Sequence, residues 1–118
     1  MFFKFFTKKK DKISSWREAE ERSARFLEKA GLKITARNYH SRFGEIDIVA
    51  EEENILHFVE VKATEGDYDP LERITLSKME KITKTVEYYI LKNGIQKEYQ
   101  IDAVIVTNSN IEWVQNIF

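Results

Sequence analysis

The chain contains no cysteine, which excludes disulfides, thiolate zinc sites and a cysteine nucleophile. That absence fits a reducing compartment, and the expected location is cytoplasmic. No apolar run approaches the roughly 20 residues that a membrane-spanning helix needs, so no membrane span is expected. The two histidines, His40 and His57, lack metal-ligand spacing. His57, set between apolar residues, reads as a satisfied core residue. Internal repeats and low-complexity linkers are also missing. At 118 residues, 42% hydrophobic and 33% charged, the chain suits one globular domain with a single core.

Positive charge is scarce over most of the chain. Lys4, Lys8, Lys9, Lys10 and Lys12 against Asp11 give residues 1–12 a charge of +4, so the remainder carries −5 of the net −1. Phosphate contact normally uses clustered lysine and arginine. An acidic body therefore meets phosphate through a metal cation, or its ligand is not nucleic acid. Residues 1–15 form a basic, aromatic segment whose apolar part is shorter than the roughly 7–15 residues of a signal peptide. It reads as a terminus packed by its phenylalanines, or as an arm against a phosphate backbone or a membrane surface.

The periodicity predicts one domain over residues 16–118 in the order αβββαββ. Ser15-Trp16-Arg17-Glu18 has the form of a capping box and Gly31 that of a helix stop. The helix between them buries Trp16, Ala19, Ser23, Ala24, Leu27 and Ala30. Glu20 falls in the centre of that apolar stripe, where a carboxylate costs several kcal/mol unless it is paired or metal-bound. Residues 32–39, 46–50 and 55–61 read as strands, the last two apolar enough to be central. The polar Glu51-Glu52-Glu53-Asn54 between them reads as a hairpin turn. Residues 66–69 read as loop, and Asp69-Pro70 as a helix start. The helical pattern runs through Met79, Ile82, Val86 and Ile90 to a stop at Asn93-Gly94, with a break near Thr75. Residues 101–107 and 111–114 close the order as two strands.

Chemistry concentrates in Gly44-Glu45-Ile46-Asp47 and Phe58-Val59-Glu60-Val61-Lys62. Side chains alternate along a strand, so Glu45 shares a face with Asp47 and Glu60 with Lys62. A four-residue turn pairs Ala50 with Ile55 and sets Glu45 opposite Glu60. A two-residue turn pairs Glu52 with Ile55 and sets Asp47 opposite Glu60. Either register gathers the four on one face, whereas a three-residue turn separates them. Three carboxylates and a lysine on a core strand pair repel and desolvate one another unless a cation joins them. Oxygen ligands without histidine or cysteine suit Mg²⁺ or Mn²⁺. Such an ion polarises a phosphoryl oxygen and acidifies water, with Lys62 beside it. Taken alone, Glu-x-Lys is more often a solvated ion-pair face; the apolar flanks, Asp47 and the inward Glu20 argue for a shared site. Arg42, Glu45 and Lys78 are candidate contacts to nucleic acid, and Asp102 either supports the site or caps a strand end.

These residues resemble the YraN-like family of small bacterial proteins, placed in the PD-(D/E)xK (restriction-endonuclease-like) clan and distantly similar to archaeal Holliday-junction resolvases. The resemblance rests on Glu20, Phe26-Leu27, Gly31, Arg37-Asn38, residues 44–50, Phe58-Val59-Glu60-Val61-Lys62, Lys78, Asp102 and Ile117-Phe118. It implies an endonuclease-like three-layer α/β domain, a mixed central sheet flanked by helices. It also implies Asp47, Glu60 and Glu20 as metal ligands with catalytic roles, and Lys62 as the catalytic lysine. The function implied is hydrolysis of phosphodiester bonds in DNA, branched or damaged, and resolvase-like activity calls for a homodimer. Ala19 replaces a usual glycine, His40 and Gln100 stand where arginine is common, and Ala63-Thr64 follows Lys62 in place of threonine and arginine. Fewer arginines mean fewer phosphate contacts. A nucleic-acid-binding module of a DNA-processing assembly without useful catalysis is the alternative, and a buried ion pair of Glu20 and Lys62 with no ligand is a third reading.

Overall fold

The computed structural model describes residues 9–64 and 75–118, with side chains from Trp16 onward. Its first helix, α1, runs Lys9–Lys29. The expected start at Trp16 is therefore too late, and Ser15 lies inside the helix. A Ser-x-x-Glu pattern caps only where the preceding backbone leaves the helix, and residues 9–15 contain no glycine or proline to force that exit. The stop is where the sequence put it. Gly31 takes φ 101°, and the N–H of Leu32 returns to the carbonyl of Leu27 at 3.0 Å, closing the last turn.

Five strands follow: β1 Lys33–Ser41, β2 Gly44–Glu52, β3 Ile55–Ala63, β4 Glu98–Val106 and β5 Ile111–Val114, with α2 (Leu76–Asn93) between β3 and β4. They form one sheet in the order β1-β2-β3-β4-β5. Neighbours are antiparallel except β3 and β4, which run parallel across the α2 crossover. A parallel pair cannot be joined by a tight turn, so the crossover helix is a requirement of the topology. Thr75 caps α2 by accepting from the Lys78 N–H, and Gly94, at φ 60°, ends it. The expected helix start at Asp69-Pro70 and loop at residues 66–69 lie outside the described residues, as does residues 1–8 of the basic aromatic segment.

Two apolar clusters sandwich the sheet. Ala19, Ala24 and Leu27 of α1 pack on Ile48, Ala50, Val59, Val61, Val104 and Val106. On the other side Ile82 and Val86 of α2 pack on Val49, Leu56, Phe58 and Ile101. The fold is α/β in three layers, with a mixed sheet between helices and the element order that the periodicity predicts. β3 is buried along its length from Leu56 onward, so any polar group it carries sits within the core. No described helix is long and apolar enough to cross a membrane.

Candidate functional site

The β2–β3 hairpin sets the register of the site. Glu52 pairs with Ile55 across a turn of Glu53 and Asn54, and the pairing continues to Ile48 and Val59. The pairing ends there, and Asp47 and Glu60 are the next residue on each strand. Of the registers the sequence left open, this is the two-residue turn.

The strict alternation assumed from the sequence fails at Asp47. Ile46 and Val49 both join the cluster under α2, as do Ala36 and Tyr39 on β1. A three-residue repeat on one side of a strand breaks its two-residue period. The register of β1 against β2 slips between Ile34 and Ala36 and is the same at Arg37↔Ile48 and Tyr39↔Ile46; between those two pairs Asn38 takes φ 53°. Asparagine tolerates this left-handed backbone better than most residues. The result turns Asp47 towards β3, where its Oδ2 accepts the Val61 N–H at 2.8 Å.

Three of the predicted residues meet here, all buried. Asp47 and Lys62 are fully enclosed and Glu60 nearly so. Lys62 Nζ donates to Glu60 Oε2 at 3.1 Å. Asp47 Oδ1, although buried, finds no donor. Burial pushes the Asp47 carboxyl well above the ordinary carboxylate range, and the charge of Glu60 pushes it the same way against the pull of the Val61 N–H. In its protonated form Asp47 becomes a donor and hydrogen-bonds Glu60, and the charge of Glu20 raises its affinity for the proton further.

Glu20 approaches from α1 and is 5% exposed. Its Oε1 accepts Asn38 Nδ2 at 3.0 Å and an Arg37 guanidinium nitrogen at 3.3 Å, while its Oε2 is buried without a partner. Arg37 also donates to Glu21 at 3.0 Å. Burial alone would lower the Arg37 pKa, but Glu21 and Glu20 together hold it above its ordinary value. The sequence offered Arg37-Asn38 only as part of a motif. The signal for their role was an asparagine within a strand pattern, a residue suited to a left-handed kink.

Glu45, Arg42 and Asp102 engage other partners. Glu45 pairs with His40 at 3.4 Å. Arg42 lies over the Phe43 ring, 5.0 Å from its centroid, and Lys78 sits half-buried in the first turn of α2. Asp102 lies in the middle of β4, opposite Val59, and caps no strand end. It takes His57 Nδ1 at 2.6 Å, Trp113 Nε1 at 3.0 Å, Gln100 Nε2 at 2.9 Å and the Asn116 N–H at 2.8 Å. His57 is a core residue, as its neighbours suggested, and its Nε2 stands 3.4 Å from Glu52 Oε1 without forming a well-aligned hydrogen bond.

Among the described residues no three histidine, aspartate or glutamate side chains stand together so as to hold a metal ion. What exists is an Asp47–Glu60 pair with Glu20 behind it, and two buried carboxylate oxygens without donors. That donor set fits Mg²⁺ or Mn²⁺ in an open site, because Mg²⁺ uses one or two carboxylates and fills the rest with water and phosphate.

The fold and site define an α/β protein with a carboxylate pair and a lysine buried on a splayed central hairpin. A profile of the Uncharacterised protein family UPF0102 matches residues 19–106, a span that includes all four core site residues. The chain belongs to this family. A UPF0102 protein of Campylobacter jejuni is 50% identical over 98 residues, covering 83% of this chain and 88% of its own length. Similar proteins in a Nitratiruptor species and Campylobacter fetus are 46% and 41% identical, covering 86% and 85% of this chain and 89% of their own lengths in each case.

Proposed function

We propose that the chain is a metal-dependent hydrolase of phosphodiester bonds in DNA, with Asp47, Glu60 and Lys62 as its catalytic residues in the PD-(D/E)xK manner. The observation that carries this reading is Asp47 Oδ1, a buried carboxylate oxygen that faces no donor beside Glu60. Two such carboxylates either share a proton, as Asp47 and Glu60 do here, or are joined by a hard cation that displaces it. Asp47 and Glu60 would hold Mg²⁺ or Mn²⁺, with Glu20 supporting them from α1. The ion supplies the charge that polarises a phosphoryl oxygen and acidifies water. Lys62, held against Glu60, would offer its ammonium to the negative charge that builds on a bound phosphate. Asp47 gives up its proton before it can act as a ligand, so metal affinity rises with pH. Branched or damaged DNA is the proposed substrate, a homodimer the proposed active assembly, and the cytoplasm the proposed compartment.

The test is incubation of the purified protein with Mg²⁺ or Mn²⁺ and single-stranded, duplex and branched DNA. Cleavage that Asp47→Ala abolishes is the expected result. Activity equal to the parent in that variant rules the mechanism out.

A second reading is favoured by the missing three-group metal cluster among the described residues and the acidic body. It is a non-catalytic nucleic-acid-binding module of a DNA-processing assembly. No Mn²⁺ uptake at millimolar concentration, read by calorimetry, would favour it over the hydrolase.

A further inference from the structure

The tip of the β1–β2 hairpin lies on α2. Ser41 Oγ and Thr85 Oγ1 are 3.2 Å apart, and a Cβ added at Gly44 would stand 3.3 Å from Thr85 Oγ1 and 3.6 Å from Lys81 Cβ. From this seat a line of rings and cations extends along the helix. Arg42 covers Phe43, the Phe43 and Tyr88 rings meet edge-on at 6.3 Å, and Lys92 Nζ stands 5.7 Å over Tyr88.

Helical periodicity adds to the row. Lys81, Lys84, Thr85, Tyr88 and Lys92 recur at three- and four-residue spacing and share one stripe of α2. Arg42, Lys81, Lys84 and Lys92 are exposed. Tyr88 is 38% exposed and the neighbouring Leu91 82%. Glu80 and Glu87, four residues before and three after Lys84, border the strip on that side, and Glu45 next to the hairpin tip lies 3.4 Å from His40. A body that is acidic overall therefore concentrates four cations and two aromatic rings on one strip. That strip starts three residues of chain before Glu45 and runs on from the end of the hairpin that carries Asp47.

We infer that this strip binds an unpaired nucleic-acid strand. The cations match a phosphate backbone, and their interleaving with rings matches the stacking surfaces on which unpaired bases lie. A duplex would use the cations but leave Phe43, Tyr88 and Leu91 without a role, since its bases are already stacked. The inference rests on the hydrolase reading for its choice of ligand, and it deepens that reading by assigning a single-stranded segment as the element recognised next to the site.

Anisotropy of a labelled oligothymidylate, titrated with the full chain in EDTA at several salt concentrations, tests it. Binding should be lost or much weakened in Lys84→Glu/Lys92→Glu, and the salt slope should fall by about 1.4 at the rate of about 0.7 per phosphate contact. Tyr88→Leu, which keeps an apolar body against Phe43, should weaken binding roughly five- to hundredfold. A duplex of the same length should compete poorly. Variants that bind like the parent, a duplex that competes equally, or binding of anionic vesicles without oligonucleotide would each overturn the inference. Strip-dependent binding by a protein that cuts nothing keeps this inference and removes the hydrolase. Cutting by a protein whose double variant binds as before does the reverse.

Discussion

At the scale of single residues, Asp47 links chemistry to stability. An unfolded aspartate releases its proton near pH 3.9, whereas burial and Glu60 keep Asp47 protonated to well above the ordinary range. Between those two values the native state binds more protons than the unfolded chain, so stability falls as pH rises. Its contribution is therefore complete below the unfolded value and is lost on passing through the raised one. In EDTA, Asp47→Asn should flatten this slope relative to the parent, as denaturant titrations at a series of pH values would read. An equal slope in both proteins would mean that Asp47 is not the group responsible. Glu20 shows how much a residue's position reveals without its partners. A carboxylate on an apolar stripe announced that it needed company, but Arg37 and Asn38 come from a separate strand and no local pattern pairs them with it.

At the scale of elements, the kink shared by β1 and β2 decides where Asp47 faces. Asn38 holds that kink at φ 53° and also donates to Glu20. Asn38→Ala should cost about 1–2 kcal/mol from the left-handed backbone alone and more from the lost hydrogen bond to Glu20, whose Oε1 keeps only Arg37. Asn38→Gly should recover the backbone part only, and thermal unfolding of the two variants separates the contributions. If both lose the same amount, the backbone is not what asparagine serves. The strands, both helix stops and the presence of a hairpin turn within residues 51–54 were legible because apolar runs, glycines and polar turns act locally, whereas its register was left open between a two- and a four-residue turn. The start of α1 was misread, since a capping pattern carries no information about whether the chain before it is already helical. The kink was hidden for a different reason: period-two reasoning presumes a regular strand, and the departure arises from pairing between β1 and β2.

At the scale of the whole molecule, the buried negative cluster predicts how metal should act on folding. An ion that binds only the native state at a hundredfold excess over its Kd adds about 2.7 kcal/mol, a shift on the order of 10 °C for a domain of this size. Mn²⁺ should therefore raise the melting temperature of the parent and leave that of Asp47→Ala unmoved. A buried ion pair with no ligand predicts no shift in either.

The strand order carries one more consequence, for synthesis. Glu20, Asp47, Glu60 and Lys62 all precede β4, which closes the free side of β3. Until Glu98–Val106 leaves the ribosome, the most apolar strand of the nascent chain has an unsatisfied margin open to other chains. A polypeptide ending at Asn93 should accordingly be recovered in the pellet on sedimentation, even though it carries every residue of the proposed catalytic cluster.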